Sequence, residues 1–135
     1  MSMLIPYVAG VITLIVGDLL WLGVLMRPFY MEKLAHLMAP TVVWWAAGAF
    51  YIAYTFAVWW FVVAPWAGKG IGLLPLALQG ALFGALAYAV YDLTNQATLR
   101  DWPVAVTVVD MAWGAFLTML VALAMAIVME YMVQR

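Results

Sequence analysis

Four apolar runs of more than twenty residues, parted by joints of only six to fourteen, constrain this chain more than any other feature. The runs extend from Leu4 to Met26, Thr41 to Ala64, Ile71 to Asn95 and Val104 to Met129. A helix needs roughly 20 apolar residues to cross a hydrocarbon layer about 30 Å thick. The other spanning structure, a barrel, is built from shorter segments whose apolar residues alternate. These runs are apolar on every face. The expected fold is therefore an all-α integral membrane protein, a four-transmembrane-helix antiparallel bundle in a single domain, since short joints make sequential helices antiparallel neighbours.

Composition narrows the function classes. Residues are 70% hydrophobic and 8% charged, against roughly half and a quarter in soluble domains. Five Lys and Arg nearly balance six Asp and Glu, so no basic surface is available for nucleic acid. The absence of Cys excludes disulfides, thiolate metal sites and cysteine nucleophiles. The first run has no basic residue ahead of it, contains Asp18 and lacks a small-residue cleavage site, so it is expected to stay in the mature chain.

Between the first two runs, residues 28–39 place Met31, Leu34, Leu37 and Met38 at helical spacing between Pro28 and Pro40. This predicts a short interfacial helix, with Glu32 and His36 four apart on one face as candidate lid residues. Trp44, Trp45, Tyr30 and Trp102 fall near one set of span ends, and Trp59, Trp60, Trp66, Tyr7 and Tyr131 near the other, as interfacial belts do. Gly80 and Gly84, and Ala49, Ala53 and Ala57, form small-residue stripes for close helix packing. Such a stripe suits a helix of the same chain or of a second copy, which leaves a homo-oligomer open. Arg27, Lys33 and Arg100 on one side against Lys69, Arg135 and the amino terminus on the other give the positive-inside rule almost a tie. The lean is toward cytoplasmic first and third joints, and near-balance also permits dual topology.

The chemically informative residues are Asp18, Asp92 and Asp110, each within an apolar run. A charge at mid-membrane costs roughly 2.5 to 3.5 kcal/mol on insertion scales, so three carboxylates require compensation or a function. Asp18 lies nine positions before Arg27, Asp92 eight before Arg100 and Asp110 seven after Pro103. At 1.5 Å per residue, all three sit about 10 to 14 Å from the same membrane face. Thr94, Asn95, Gln96 and Thr107 add polar groups nearby. Asp18 with Trp21 and Asp110 with Trp113 repeat an Asp–Trp spacing of three, which lets an indole N–H hold a carboxylate or a ligand.

Three function classes fit. The first is a binding or transport protein for a small or lipophilic molecule, proton-linked through the carboxylate layer, with Asp18, Trp21, Asp92, Asn95, Asp110 and Trp113 as ligand- or proton-binding candidates. The second is a membrane-embedded enzyme modifying a lipid or isoprenoid with paired Asp residues as acid and base. The third is a structural subunit of a larger membrane complex, in which the carboxylates glue helices together. One His and no dense acidic motif give no metal assignment, and nothing names a cofactor.

Gly17-Asp18-Leu19-Leu20-Trp21-Leu22-Gly23, Phe29-Tyr30, Tyr91-Asp92-Leu93-Thr94-Asn95, Ala97-Thr98-Leu99, Trp102-Pro103 and Val109-Asp110-Met111-Ala112-Trp113-Gly114 together resemble a family of small bacterial four-helix membrane proteins catalogued as a domain of unknown function. The resemblance covers nearly the whole chain. It implies a multi-pass protein of the bacterial inner membrane and brings no activity with it.

Overall fold

The computed structural model describes residues 3–134; Arg135 and the first two residues, invoked above for orientation, lie outside the described residues. Its elements are five helices. α1 spans Leu4–Leu25, α2 Arg27–Leu34, α3 Trp44–Trp66, α4 Leu73–Thr98 and α5 Val104–Val133. Four of them, all but α2, are long and apolar enough to cross a membrane, so the fold expected from the apolar runs is the fold observed.

Prolines sit where a helix tolerates them. Pro6 and Pro75 occupy first turns and Pro28 opens α2, positions whose N–H groups have no intrahelical acceptor. Pro65 is different, since it removes the N–H that Phe61 C=O would otherwise receive. The Gln79 amide of α4 donates to that carbonyl at 3.3 Å, meeting the demand that backbone groups in lipid be satisfied within the protein. The α3 turn just before it, Trp59–Val63, is widened to π geometry. A second π turn, Trp21–Leu25, ends α1 with Met26 N–H donating to Trp21 C=O at 2.8 Å.

The covering helix is shorter than 28–39. α2 stops at Leu34, where the N–H groups of Leu37 and Met38 both turn back to Leu34 C=O, Pro40 disfavours helix at Ala39, and the chain bends at Pro40 and Thr41 ahead of α3. At the second joint, Gly68 (φ 73°) and Gly70 (φ 64°) adopt the left-handed backbone of that turn.

α5 is the hub. It packs most extensively on α4 and next on α1, while α3 closes the ring against α1 and, through its second half, against α4 and α5. Gly80 and Gly84 bring α4 onto α5 of the same chain. A Cβ at Gly84 would meet Gly114 O at 2.0 Å, and one at Gly80 would meet Ala122 Cβ at 3.2 Å. The other stripe does not share this role, for Ala49 and Ala53 face outward.

The two ends of the bundle differ. Toward the second joint, Leu14, Val58, Val62, Leu76, Leu117, Val121 and Met125 form a fully buried apolar core. Toward the first and third joints, the axis carries Asp18, Asp92, Asp110 and a group of tyrosines instead. The belt residues separate accordingly. Trp44 and Trp45 are 77% and 78% exposed, as lipid-facing anchors are, whereas Tyr30, Trp66 and Trp102 turn inward and are buried.

Candidate functional site

Every fourth residue of α4 from Gly80 points at α5, because residues four apart lie above one another on a helix. The series runs Gly80, Gly84, Tyr88, Asp92, Gln96. The glycines let the backbones touch, and a Cβ on Gly114 would meet the Tyr88 ring at 2.3 Å, so Gly114 is what admits that ring. One turn on, Asp92 is fully buried with both carboxylate oxygens lacking a donor, and it lies against Asp110 of α5. Two ionised carboxylates cannot hydrogen-bond each other; with one proton between them they can. At the end of the series the Gln96 amide donates to Trp102 C=O at 3.0 Å and its oxygen accepts from Thr107 at 3.1 Å. Trp102 Nε1 also donates to Thr107 Oγ1 at 3.1 Å, which ties the third joint down.

The two Asp–Trp pairs meet in a crossed arrangement. Trp21 and Trp113 stack with ring centroids 4.3 Å apart and planes 1° from parallel. Trp113 Nε1 donates not to Asp110 of its own helix but to Asp18 on α1, at 3.3 Å. Trp21 Nε1 donates at 3.1 Å to the Tyr30 hydroxyl, and that hydroxyl donates to Asp110. The Tyr51 hydroxyl of α3 also approaches Asp18. Burial, reinforced by the bond to Asp110, raises the Tyr30 hydroxyl above the ordinary phenol pKa, so it stays a donor.

These groups line an inner cleft of about 460 Å³ to which all five helices contribute: Asp18, Tyr30, Tyr54, Tyr88 and Asp110, with Phe50, Tyr91 and Trp113 among the walls. Tyr54 is fixed by a 2.6 Å hydrogen bond with the buried Thr118. An outer cleft of about 380 Å³ shares Leu22, Tyr30, Tyr91 and Asp110 with it and continues past Arg27, Met31 and Trp102 to the first joint. Tyr30, bonded to Asp110, stands between the two.

Of the residues expected from the sequence, Asp18, Trp21, Asp110 and Trp113 come together, and Asp92 lies directly behind Asp110. The three carboxylates share a layer without forming one cluster of metal-ligand spacing among the described residues. Asn95 is three residues beyond Asp92 rather than four, so it leaves the α5-facing series, and it lines neither cleft. Glu32 and His36 are exposed and also line neither; Glu32 pairs with Lys33 at 2.7 Å, and that ammonium lowers its pKa. The part of α2 that reaches the site is Tyr30. Sequence reading took Tyr30 for a belt residue and did not single out Tyr54 or Tyr88. The signal for Tyr88 was its spacing of four from Gly84, and for Tyr54 its spacing of four from the inward-facing Val58 and eight from Val62.

No curated protein and no solved structure matches the chain. The family described as "Predicted membrane protein (DUF2177)" matches it over residues 3–127, and the chain belongs to that family of membrane proteins.

Proposed function

We propose that this protein binds or transports a small or lipophilic molecule in the inner cleft, as a multi-pass protein of a bacterial inner membrane with the lipid bilayer as its surroundings. The observation that carries this reading is the convergence of all five helices on one cleft of about 460 Å³ whose polar groups are carboxylates and phenols. That volume lies within the roughly 300–1,000 Å³ usual for small-molecule sites. A bundle needing only glue would bury its polar residues in closed pairs, since each unmet group is costly in lipid. Here Asp92 has no donor and Asp110 faces the cleft, a pair able to take up and release a proton as a ligand leaves and enters.

The same pair supports a second reading, a lipid- or isoprenoid-modifying enzyme in which Asp92 and Asp110 share acid and base roles. Product formation from a lipid or isoprenoid substrate would distinguish it from binding.

The test is a thermal-shift screen of purified protein in detergent against lipids, isoprenoids, porphyrins and organic cations, repeated with Asp18→Asn, Asp92→Asn and Asp110→Asn. The expected result is a stabilising ligand whose effect those substitutions remove. No stabilising ligand, together with Asn variants as stable as the parent, would turn the assignment to a structural subunit.

A further inference from the structure

The sign of charge in the inner cleft is one-sided. Asp18 and Asp110 line it, Asp92 stands behind Asp110, and no Lys, Arg or His side chain is among its walls. Among the described residues none of the three forms a salt bridge. Donors are also few for three carboxylates, each able to accept about four hydrogen bonds. Trp113 and the approaching Tyr51 serve Asp18, Tyr30 serves Asp110, and Asp92, fully buried, meets only the carboxyl group of Asp110. An anionic ligand is repelled from such a site, and a neutral one leaves the carboxylates uncompensated.

The walls complete the specification. Phe50, Tyr54, Tyr88, Tyr91 and Trp113 present aromatic surface around the carboxylates, and ring faces attract cations, most strongly where water is excluded. A bare metal ion would want several convergent oxygens, whereas these carboxylates do not form a three-ligand group among the described residues. An organic cation wants what is present, dispersed negative charge and apolar walls.

We infer that the inner cleft receives a lipophilic organic ammonium ion, its charge between Asp18 and Asp110 and its apolar body against the aromatic walls. This rests on the reading of the cleft as a ligand site and names the ligand's class.

Two matched probe series test it on the intact protein in detergent, by equilibrium binding at neutral pH. The first is tryptamine, its neutral alcohol tryptophol and the anionic indole-3-acetate; the second is 4-phenylbutylamine, 4-phenylbutanol and 4-phenylbutyrate. Each amine is expected to bind roughly tenfold or more tightly than its alcohol, as a charge-assisted hydrogen bond allows, with the acids weakest. Asp18→Asn and Asp110→Asn are expected to erase the preference for amine over alcohol. Alcohols binding as tightly as amines overturn the cation inference and leave the ligand site standing. Binding by none of the six overturns both. Because the comparison among probes uses the parent protein, it stands even if an Asn variant fails to fold.

Discussion

Trp113 carries more than its place in a stack. Its indole N–H reaches Asp18 across the α1–α5 interface, and its ring lies on Trp21, whose own N–H reaches Tyr30 and through it Asp110. Trp113→Phe keeps an aromatic ring and removes a donor from a buried carboxylate. It should lower stability by about 1–3 kcal/mol, the usual cost of leaving such a group unmet. Denaturation in detergent would measure it, and the loss should be smaller in an Asp18→Asn background, where the carboxylate no longer needs that donor. Tyr30 supplies a pH signature. Its hydroxyl is held protonated in the folded protein by burial and by Asp110, while in the unfolded chain it titrates near the ordinary phenol value of about 10. A raised folded pKa gives stability that is complete below that value and declines as pH rises past it. The stability gap between the parent and Tyr30→Phe, measured by thermal unfolding, should therefore be widest near neutral pH and shrink above about pH 10. A gap that stayed constant with pH would mean the hydroxyl does not donate to Asp110. These residues were unequally legible in the sequence. Asp18 and Asp110 stood out as charges in apolar runs, but the crossing of Trp113 to Asp18 depends on which helices touch, and no local spacing encodes that.

At the scale of the helices, the α4–α5 contact decides whether the cleft exists. Gly84 lies closest to the partner backbone, and a methyl group there would meet a carbonyl oxygen and Thr118 Oγ1 at 2.4 Å. Backbone cannot step aside as a side chain can. Gly84→Ala is expected to cost about 1–3 kcal/mol or more by forcing the helices apart. It should also weaken the Tyr54–Thr118 bond that holds one wall of the cleft. Gly80→Ala, whose methyl group would find neighbours at 3.2 to 3.3 Å, should cost clearly less. Equal losses in unfolding measurements would show that the close approach is not what Gly84 provides. The glycine stripe was legible as a packing face; that its partner is α5 was not, because a helix stripe reads the same whether it meets its own chain or another. The period of four that starts with those glycines also explains why Gln96 joins the network and Asn95 does not.

For the whole molecule, the number of spans and their alternation were readable from the apolar runs, since lipid leaves a chain few ways to satisfy its backbone. Span ends shifted by a few residues. Helix α5 continues to Val133 beyond the expected Met129 because nothing there breaks it, and α3 starts at Trp44 because the chain bends at Pro40 and Thr41. The alternation itself can be checked on a chain free of cysteine, which makes every introduced thiol unique. Glu32→Cys and Arg100→Cys should react with a membrane-impermeant maleimide from the same side, and Lys69→Cys from the opposite side. Reaction of Lys69→Cys and Arg100→Cys from one side would break the four-span arrangement; a mixture of both orientations would instead report dual topology.

The tightly packed apolar core on the second-joint side has an electrical consequence. A membrane potential falls across whatever insulates, and in this bundle that is the tightly packed layer around Leu117, Val121 and Met125, which lies between the inner cleft and a separate cleft of about 410 Å³ at the second joint. Moving one elementary charge through the full potential is worth roughly 2.3 kcal/mol per 100 mV. A charge that enters from the first-joint side and stops at the carboxylates crosses only a minor share of that drop. Occupancy of the site should thus be nearly indifferent to voltage, and any voltage dependence would belong to a step in which the insulating layer itself opens.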